Sequence, residues 1–286
     1  VSGPPRITAP ELLERYEVLL LDAYGVLITH DEPLPGAAEL IARLNRERRS
    51  YFVLTNDASR SEDASARRYR EMGLAIPARD IITSGSVIAD YFRTEGLAGA
   101  RCAILGTEDS VRYVTAAGGE PVPAETGEDF EVLVVCDERG YPLRECLDAV
   151  LSVLYRRADR GLPTRLVLAN PDLVYPAAPG RIGLTAGSVA LLLGELLRVR
   201  YPGRQDVGFI PLGKPHPPMF REALRRAGCG PDAAVMIGDQ LATDILGANR
   251  AGIASALVLS GLTRPEHMDG AEGRPTWILD RLESGA

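Results

Sequence analysis

Lysine is almost absent from this 286-residue sequence. Of its 32 basic residues, 31 are arginine and one is Lys214. At most exposed sites the two cations are nearly exchangeable, so the bias reads as that of a high-GC genome. They are not exchangeable where a compact ammonium on a flexible stem is needed. Lys214 is therefore a candidate functional residue, with chance retention as the competing explanation. Histidine is also scarce, at His30, His216 and His267, which argues against a histidine-rich metal site or a His-led triad. The four cysteines, Cys102, Cys136, Cys146 and Cys229, form no C-x-x-C pair. A disulfide framework or zinc site would be denser, so free thiols in a reducing cytoplasm are expected. No apolar run approaches the ~18–20 residues of a membrane span. Val1-Ser2-Gly3-Pro4-Pro5-Arg6 has no apolar segment of a secretory signal, and the expected location is cytoplasmic. A net charge of −7 argues against non-specific binding to nucleic acid, which needs a basic face.

What is present is an ordinary globular composition, 45% hydrophobic and 25% charged. The length allows one large or two ordinary domains. Continuous apolar runs at 18–21, 51–54, 234–237 and 254–259 read as buried strands, and 35–48, 61–72 and 243–251 as helices. Such strands interleaved with helices imply a parallel sheet covered on both faces, where ligands bind beyond the carboxyl ends. Asp22, Thr55 and Asp239 each stand just past such an end. A second α/β set has strands at 103–105, 132–135 and 166–169 and helices at 143–157 and 188–199. It lies between the Asn56 loop and Lys214. The expected organisation is a core from 1–83 and 207–286, with 84–206 inserted.

Four segments can carry chemistry. Asp22, in Asp22-Ala23-Tyr24-Gly25-Val26-Leu27, offers a carboxylate nucleophile, or is an ordinary strand-to-loop Asp. Thr55 and Asn56 offer a hydroxyl and N–H groups suited to phosphate oxygens, or form a turn. Lys214, in Gly213-Lys214-Pro215, can neutralise a carboxylate and a phosphoryl oxygen, or is a surface lysine beside a turn. Asp239 and Asp244, in Gly238-Asp239-Gln240-Leu241-Ala242-Thr243-Asp244, offer hard oxygen ligands suited to Mg²⁺. Asp244 alone could instead be an acid favoured near a helix N-terminus.

In this order (nucleophilic Asp, Thr, Lys, acidic pair) the segments resemble the haloacid dehalogenase (HAD) superfamily, and more closely its class IIA, NagD-like branch. Thr55-Asn56-Asp57-Ala58-Ser59-Arg60, Thr83-Ser84-Gly85, Ala169-Asn170-Pro171-Asp172-Leu173 and Gly187-Ser188 follow that family's order. The resemblance implies an α/β fold, a Rossmann-like parallel-sheet core with an inserted α/β cap of C2 type. It implies a phosphatase acting on small phosphorylated metabolites such as sugar, polyol or nucleotide phosphates. Asp22 would form an aspartyl-phosphate. Mg²⁺ would be held by Asp22, the Tyr24 backbone carbonyl and Asp239. Asp244 would support the metal shell, through water, or orient Lys214. Thr55, Asn56 and Lys214 would bind the phosphoryl group. Asn170 and Asp172 are candidates for substrate contact from the cap, or members of a Pro-containing turn. Dimerisation through the cap is a further family expectation.

One position departs from the family. The second Asp of the first motif, which protonates the leaving group and activates water, is Tyr24. A phenol ionises near pH ~10 and makes a poor general base at neutral pH. General acid–base help is worth ~10²–10⁴-fold, so turnover is expected to be weak unless Asp57, His216 or a cap residue substitutes. Two alternatives follow: a catalytically weakened ligand-binding or regulatory protein, and a dehalogenase-like carbon–halogen hydrolase. The dehalogenases share the Asp-x-Tyr pattern but lack the acidic metal site. Their cap is helical and inserted earlier.

Overall fold

A computed structural model describes residues 3–30, 32–178, 180–204, 207–259, 263 and 271–282. The chain divides into two compact units. The first comprises Val1–Thr55, Glu62–Ile82 and Lys214–Ala286; the second comprises Asn56–Ser61 and Thr83–Gly213.

The first unit is built on a seven-stranded sheet in the order Arg6–Ile7, Trp277–Leu279, Ala254–Val258, Ala234–Gly238, Val18–Asp22, Ser50–Thr55, Ile81–Thr83. Its central strands are buried along their whole length, as Val-Leu-Leu-Leu-Asp and Ala-Val-Met-Ile-Gly require. The pairings Val18–Asp22 makes with its two neighbours are parallel. Leu21 lies opposite Ile237, and Asp22 opposite Leu54. This register brings Asp22, Thr55 and the segment after Gly238 to one edge. Leu19, Leu21, Val53, Val235 and Ile237 share a core cluster with Leu40, Ile41 and Leu44 of the helix Ala37–Glu47.

The second unit holds a parallel five-stranded sheet, ordered Phe209–Pro211, Arg165–Leu168, Val132–Val135, Arg101–Leu105, Glu120–Val122. An antiparallel hairpin, Val174–Ala178 with Arg181–Leu184, is separate from it. Cys146, Val150 and Val153 of the helix Leu143–Asp159 and Val189, Ala190 and Leu193 of the helix Ala186–Arg200 pack in its core.

Two sequence expectations differ from the structure. The division into units puts Asn56–Ser61, Thr83 and 207–213 with the second unit rather than the core. Phe209–Pro211 pairs with Arg165–Leu168, and Ser84, Thr107 and Ser110 donate to the carbonyls of Asn56, Ser59 and Ala58. The expected edge residue Asp206 lies outside the described residues. The helix expected over 243–251 is instead a π-helical turn, Leu241–Ile245, followed by a short α-helix, Leu246–Arg250.

Candidate active site

The carboxyl edge of the first unit's sheet gathers three acids and one base. Asp22 ends Val18–Asp22, and Asp239 directly follows Ala234–Gly238. Asp244 sits in the π-helical turn, where the N–H groups of Asp244 and Ile245 both donate to the Gln240 carbonyl. Turns of this width recur at functional sites. Here the turn folds Asp244 back over Gly238, where a Cβ would collide with its carboxyl group. The Asp244 Oδ2 accepts from the Gln240 N–H at 3.2 Å. Oxygens of Asp22, Asp239 and Asp244 lie within 4.8 Å of one another, and all three residues are buried.

Lys214 is 3% exposed. Its Nζ donates to Asp22 Oδ1 at 2.5 Å, Asp244 Oδ1 at 2.7 Å and the Leu54 carbonyl at 3.2 Å. Burial alone would favour the neutral amine, but Asp22 and Asp244 outweigh it and hold the Lys214 pKa above its ordinary value. Burial pushes the Asp22 carboxyl well above its usual range. Asp244 and Asp239 add to that rise and Lys214 opposes it. Three acids against one ammonium make the cluster acidic on balance, and every acid offers oxygen donors.

Gly25 has φ of +83°, which glycine adopts without strain. A Cβ there would overlap the Asp239 carboxylate, so the turn after Asp22 packs directly on the acidic cluster. Tyr24, one residue earlier, is 37% exposed. Its phenol oxygen accepts from Arg68 Nη1 at 2.8 Å, and the guanidinium carbon lies 5.5 Å from the ring centroid. Arg68 Nη2 also donates to the His30 carbonyl at 2.6 Å.

Thr55 closes its strand, buried beside this edge, and Asn56 follows it as the first residue of the second unit. Within that unit Asn56 Nδ2 donates to Asp172 Oδ1 at 2.9 Å, and Asn170 Oδ1 accepts from the Asp172 N–H at 3.0 Å. Of the groups that could stand in for a carboxylate at position 24, Asp57 accepts from the N–H and hydroxyl of Ser59 and pairs with Arg60. His216 precedes the helix Pro217–Ala227, and burial, then Arg250, lowers its pKa.

The structure therefore brings Asp22, Lys214, Asp239 and Asp244 together and sets Tyr24 beside them on the adjoining turn. Arg68, one of 31 arginines, has no neighbour in the sequence that marks it. The hydrogen bond from Ser84 to the Asn56 carbonyl is likewise unmarked, although Thr83-Ser84-Gly85 is one of the segments in the family's order.

Two family models match. Residues 19–120 match a haloacid dehalogenase-like hydrolase model, and 211–284 a HAD-hydrolase-like model. A D-glycerol 3-phosphate phosphatase of Mycobacterium tuberculosis is 32% identical, over 96% of this chain and 72% of its own. The chain belongs to the haloacid dehalogenase superfamily. The Escherichia coli ribonucleotide monophosphatase NagD is also among its relatives, which places it in the NagD-like phosphatase branch. A solved HAD structure from Cytophaga hutchinsonii, described as a possible sugar phosphatase, is similar at a TM-score of 0.85 and 30% identity, covering 99% of this chain and 100% of that one. A glycerol phosphate phosphatase of Mycobacterium tuberculosis, solved in complex with magnesium, has a TM-score of 0.78 at 28% identity, covering 95% and 76%. Among the described residues of this HAD chain, no helix is long and apolar enough to cross a membrane.

Proposed function

We propose that this HAD phosphatase hydrolyses small phosphorylated metabolites through an aspartyl-phosphate on Asp22, with Mg²⁺ as its cofactor. The observation that carries the reading is the buried lysine bridging Asp22 and Asp244 within a cluster of three acids. The donor set fits Mg²⁺: its carboxylates are hard, buried and close together, and their charge exceeds what Lys214 offsets. Asp22, Asp239 and the Tyr24 backbone carbonyl would hold the ion, with Asp244 acting through water. When bound, Mg²⁺ would neutralise the excess charge, keep Asp22 ionised and polarise a phosphoryl oxygen.

The chain's own residues supply the rest. An Asp22 oxygen attacks phosphorus and breaks its bond to the ester oxygen, which leaves and takes a proton from solvent; water then attacks the phosphorus of the acyl phosphate, loses its proton to solvent and regenerates the carboxylate. Lys214 offsets charge on the attacking carboxylate and the transferred group. Thr55 and the N–H of Asn56, adjacent along the chain, bind the phosphoryl oxygens. Asp244 keeps Lys214 oriented through their 2.7 Å hydrogen bond. The inserted unit serves as the substrate-selecting cap. Because a relative is named for D-glycerol 3-phosphate, polyol and sugar phosphates are the first class to test, followed by nucleotides. Exposed Leu191, Leu192 and Val199 on one helix, with Ile182 and Leu184 on the hairpin, support a homodimer formed through the cap. Four free thiols suit a cytoplasmic location.

A second reading is a ligand-binding protein with weak turnover. Tyr24 favours it, since the position that needs a carboxylate carries a phenol held by Arg68. The test is phosphate release from p-nitrophenyl phosphate and a panel of metabolite phosphates, in Mg²⁺ and in EDTA. Metal-dependent release that Asp22→Asn abolishes supports hydrolysis. Stabilisation by substrate without release supports binding. Halide release from haloacids, indifferent to EDTA, would instead support the dehalogenase alternative.

A further inference from the structure

The loop Asn170-Pro171-Asp172 is fixed from several sides within the second unit. The Asp172 carbonyl accepts from the Thr185 hydroxyl and from the Gly187 N–H. The Leu173 carbonyl accepts from the Thr185 N–H and the Ser188 hydroxyl. A Cβ at Gly187 would overlap the Pro171 and Asp172 carbonyls, so the helix Ala186–Arg200 begins directly against the loop. Asn170 spends its side-chain oxygen on the Asp172 N–H. With its backbone held this way, Asp172 directs its carboxylate to Asn56 Nδ2 at 2.9 Å.

Asn56 is itself held at other points. Its carbonyl accepts from the buried Ser84 hydroxyl at 2.7 Å. Its side-chain oxygen faces Gly213, where a Cβ would come within 2.7 Å of it and 2.8 Å of the Ala169 carbonyl. Asn56 directly follows Thr55 at the sheet's carboxyl edge, and Gly213 directly precedes Lys214 of the acidic site. The Asn170-Pro171-Asp172 loop thus braces the two chain segments that lead into that site.

We propose that Asp172 is a positioning residue for phosphate binding: its hydrogen bond to Asn56 fixes the backbone that presents the Asn56 N–H, rather than contacting the variable part of the substrate. The inference rests on the phosphatase reading for the role of Asn56. A hydrogen bond to a charged acceptor is stronger than one between neutral groups, and a carboxylate accepts without competing as a donor. The Asn56 amide is therefore held in one orientation, with Nδ2 toward Asp172. A contact to the leaving group would make the effect of Asp172 depend on which ester is bound. A positioning role makes it common to every ligand that carries phosphate.

The test is calorimetric binding of inorganic phosphate in Mg²⁺ to wild type, Asp172→Ala, Asp172→Asn and Gly213→Ala, with KM measured for p-nitrophenyl phosphate and a polyol phosphate. Asp172→Ala should weaken phosphate binding by about tenfold, the scale set by a lost hydrogen bond to a charged group. It should raise both KM values by a similar factor. Asp172→Asn, which keeps an acceptor for Asn56, should recover most of the loss. Gly213→Ala, which crowds both Pro171 and the Asn56 side chain, should weaken phosphate binding while the Asp172 carboxylate is retained. Unchanged phosphate binding in Asp172→Ala, or a KM change confined to one ester, would overturn the proposal. Because phosphate binding is read without turnover, a wild type that binds phosphate but hydrolyses nothing would fail the hydrolase reading alone. A wild type that binds no phosphate in Mg²⁺ would overturn the positioning role as well.

Discussion

Replacing Asp239 by Asn should make the metal-free protein more stable and remove its response to Mg²⁺. Asp239 is fully buried, and its carboxylate helps drive the Asp22 pKa up. At the 4.8 Å limit of the cluster, an effective dielectric of ~20 gives about 3.5 kcal/mol for each pair of like charges. Asp239 shares the cluster with Asp22 and Asp244 and is one of the groups that raise the Asp22 pKa, so one such repulsion sets the scale. Relaxation of the site reduces this, and about 1–3 kcal/mol of stabilisation is expected from an isosteric amide. At ~2–4 °C per kcal/mol for a chain of this class, the melting temperature in EDTA should rise by several degrees. Wild type should gain on adding Mg²⁺, by about 2.7 kcal/mol at one hundred times the dissociation constant, and Asp239→Asn should gain far less. The two proteins would then change order between EDTA and saturating Mg²⁺. Calorimetric or fluorescence melts in both buffers measure this. An Asp239→Asn protein that melts below wild type in EDTA would refute the claim that Asp239 repels its acidic neighbours at a net cost in stability.

Other outcomes follow from the same geometry. Tyr24→Asp supplies the missing acid–base group and releases Arg68; turnover of alkyl phosphates should rise by about 10²-fold, and no gain in a folded variant that binds Mg²⁺ would count against the assigned defect. Gly25→Ala combines a left-handed backbone with overlap onto Asp239, so it should cost more than the ~1–2 kcal/mol of the backbone alone and weaken Mg²⁺ binding. Gly73→Ala, with φ of +82° and open space around it, should show only the backbone part in urea titrations. Burial pushes the Cys102 and Cys136 thiols up to about 12. Both should resist iodoacetamide near pH ~8 in the folded protein and react in urea, as mass spectrometry of the alkylated chain would read.

Much of the core was legible because its strands must be apolar on both faces. Val-Leu-Leu-Leu before Asp22 and Val-Met-Ile before Gly238 fit few other settings, and their parallel register then placed the acids together. Lys214 stood out because every other basic residue is arginine. The features that escaped depend on contacts distant in sequence or on unusual backbone. The wide turn at Leu241–Ile245 carries the same residues as an α-helix would, and what sets it is the packing of Asp244 over Gly238. The strand Arg6–Ile7 has two residues, too few for periodicity. The hairpin from Val174 to Leu184 keeps Ile182 and Leu184 exposed, so burial does not mark it. The pairing of Tyr24 with Arg68 spans 44 positions, and no local pattern announces it.

The most direct test of the central claim is to locate the phosphoryl group during turnover. Wild type mixed with p-nitrophenyl phosphate and Mg²⁺, quenched in acid and digested, would be read by peptide mass spectrometry. With a phenol where the water-activating carboxylate belongs, hydrolysis of the intermediate should be the slower step. The prediction is a phosphorylated peptide modified at Asp22, absent in EDTA and absent in Asp22→Asn. Phosphate release by wild type with the label on another residue, or release that persists in Asp22→Asn, would contradict the account.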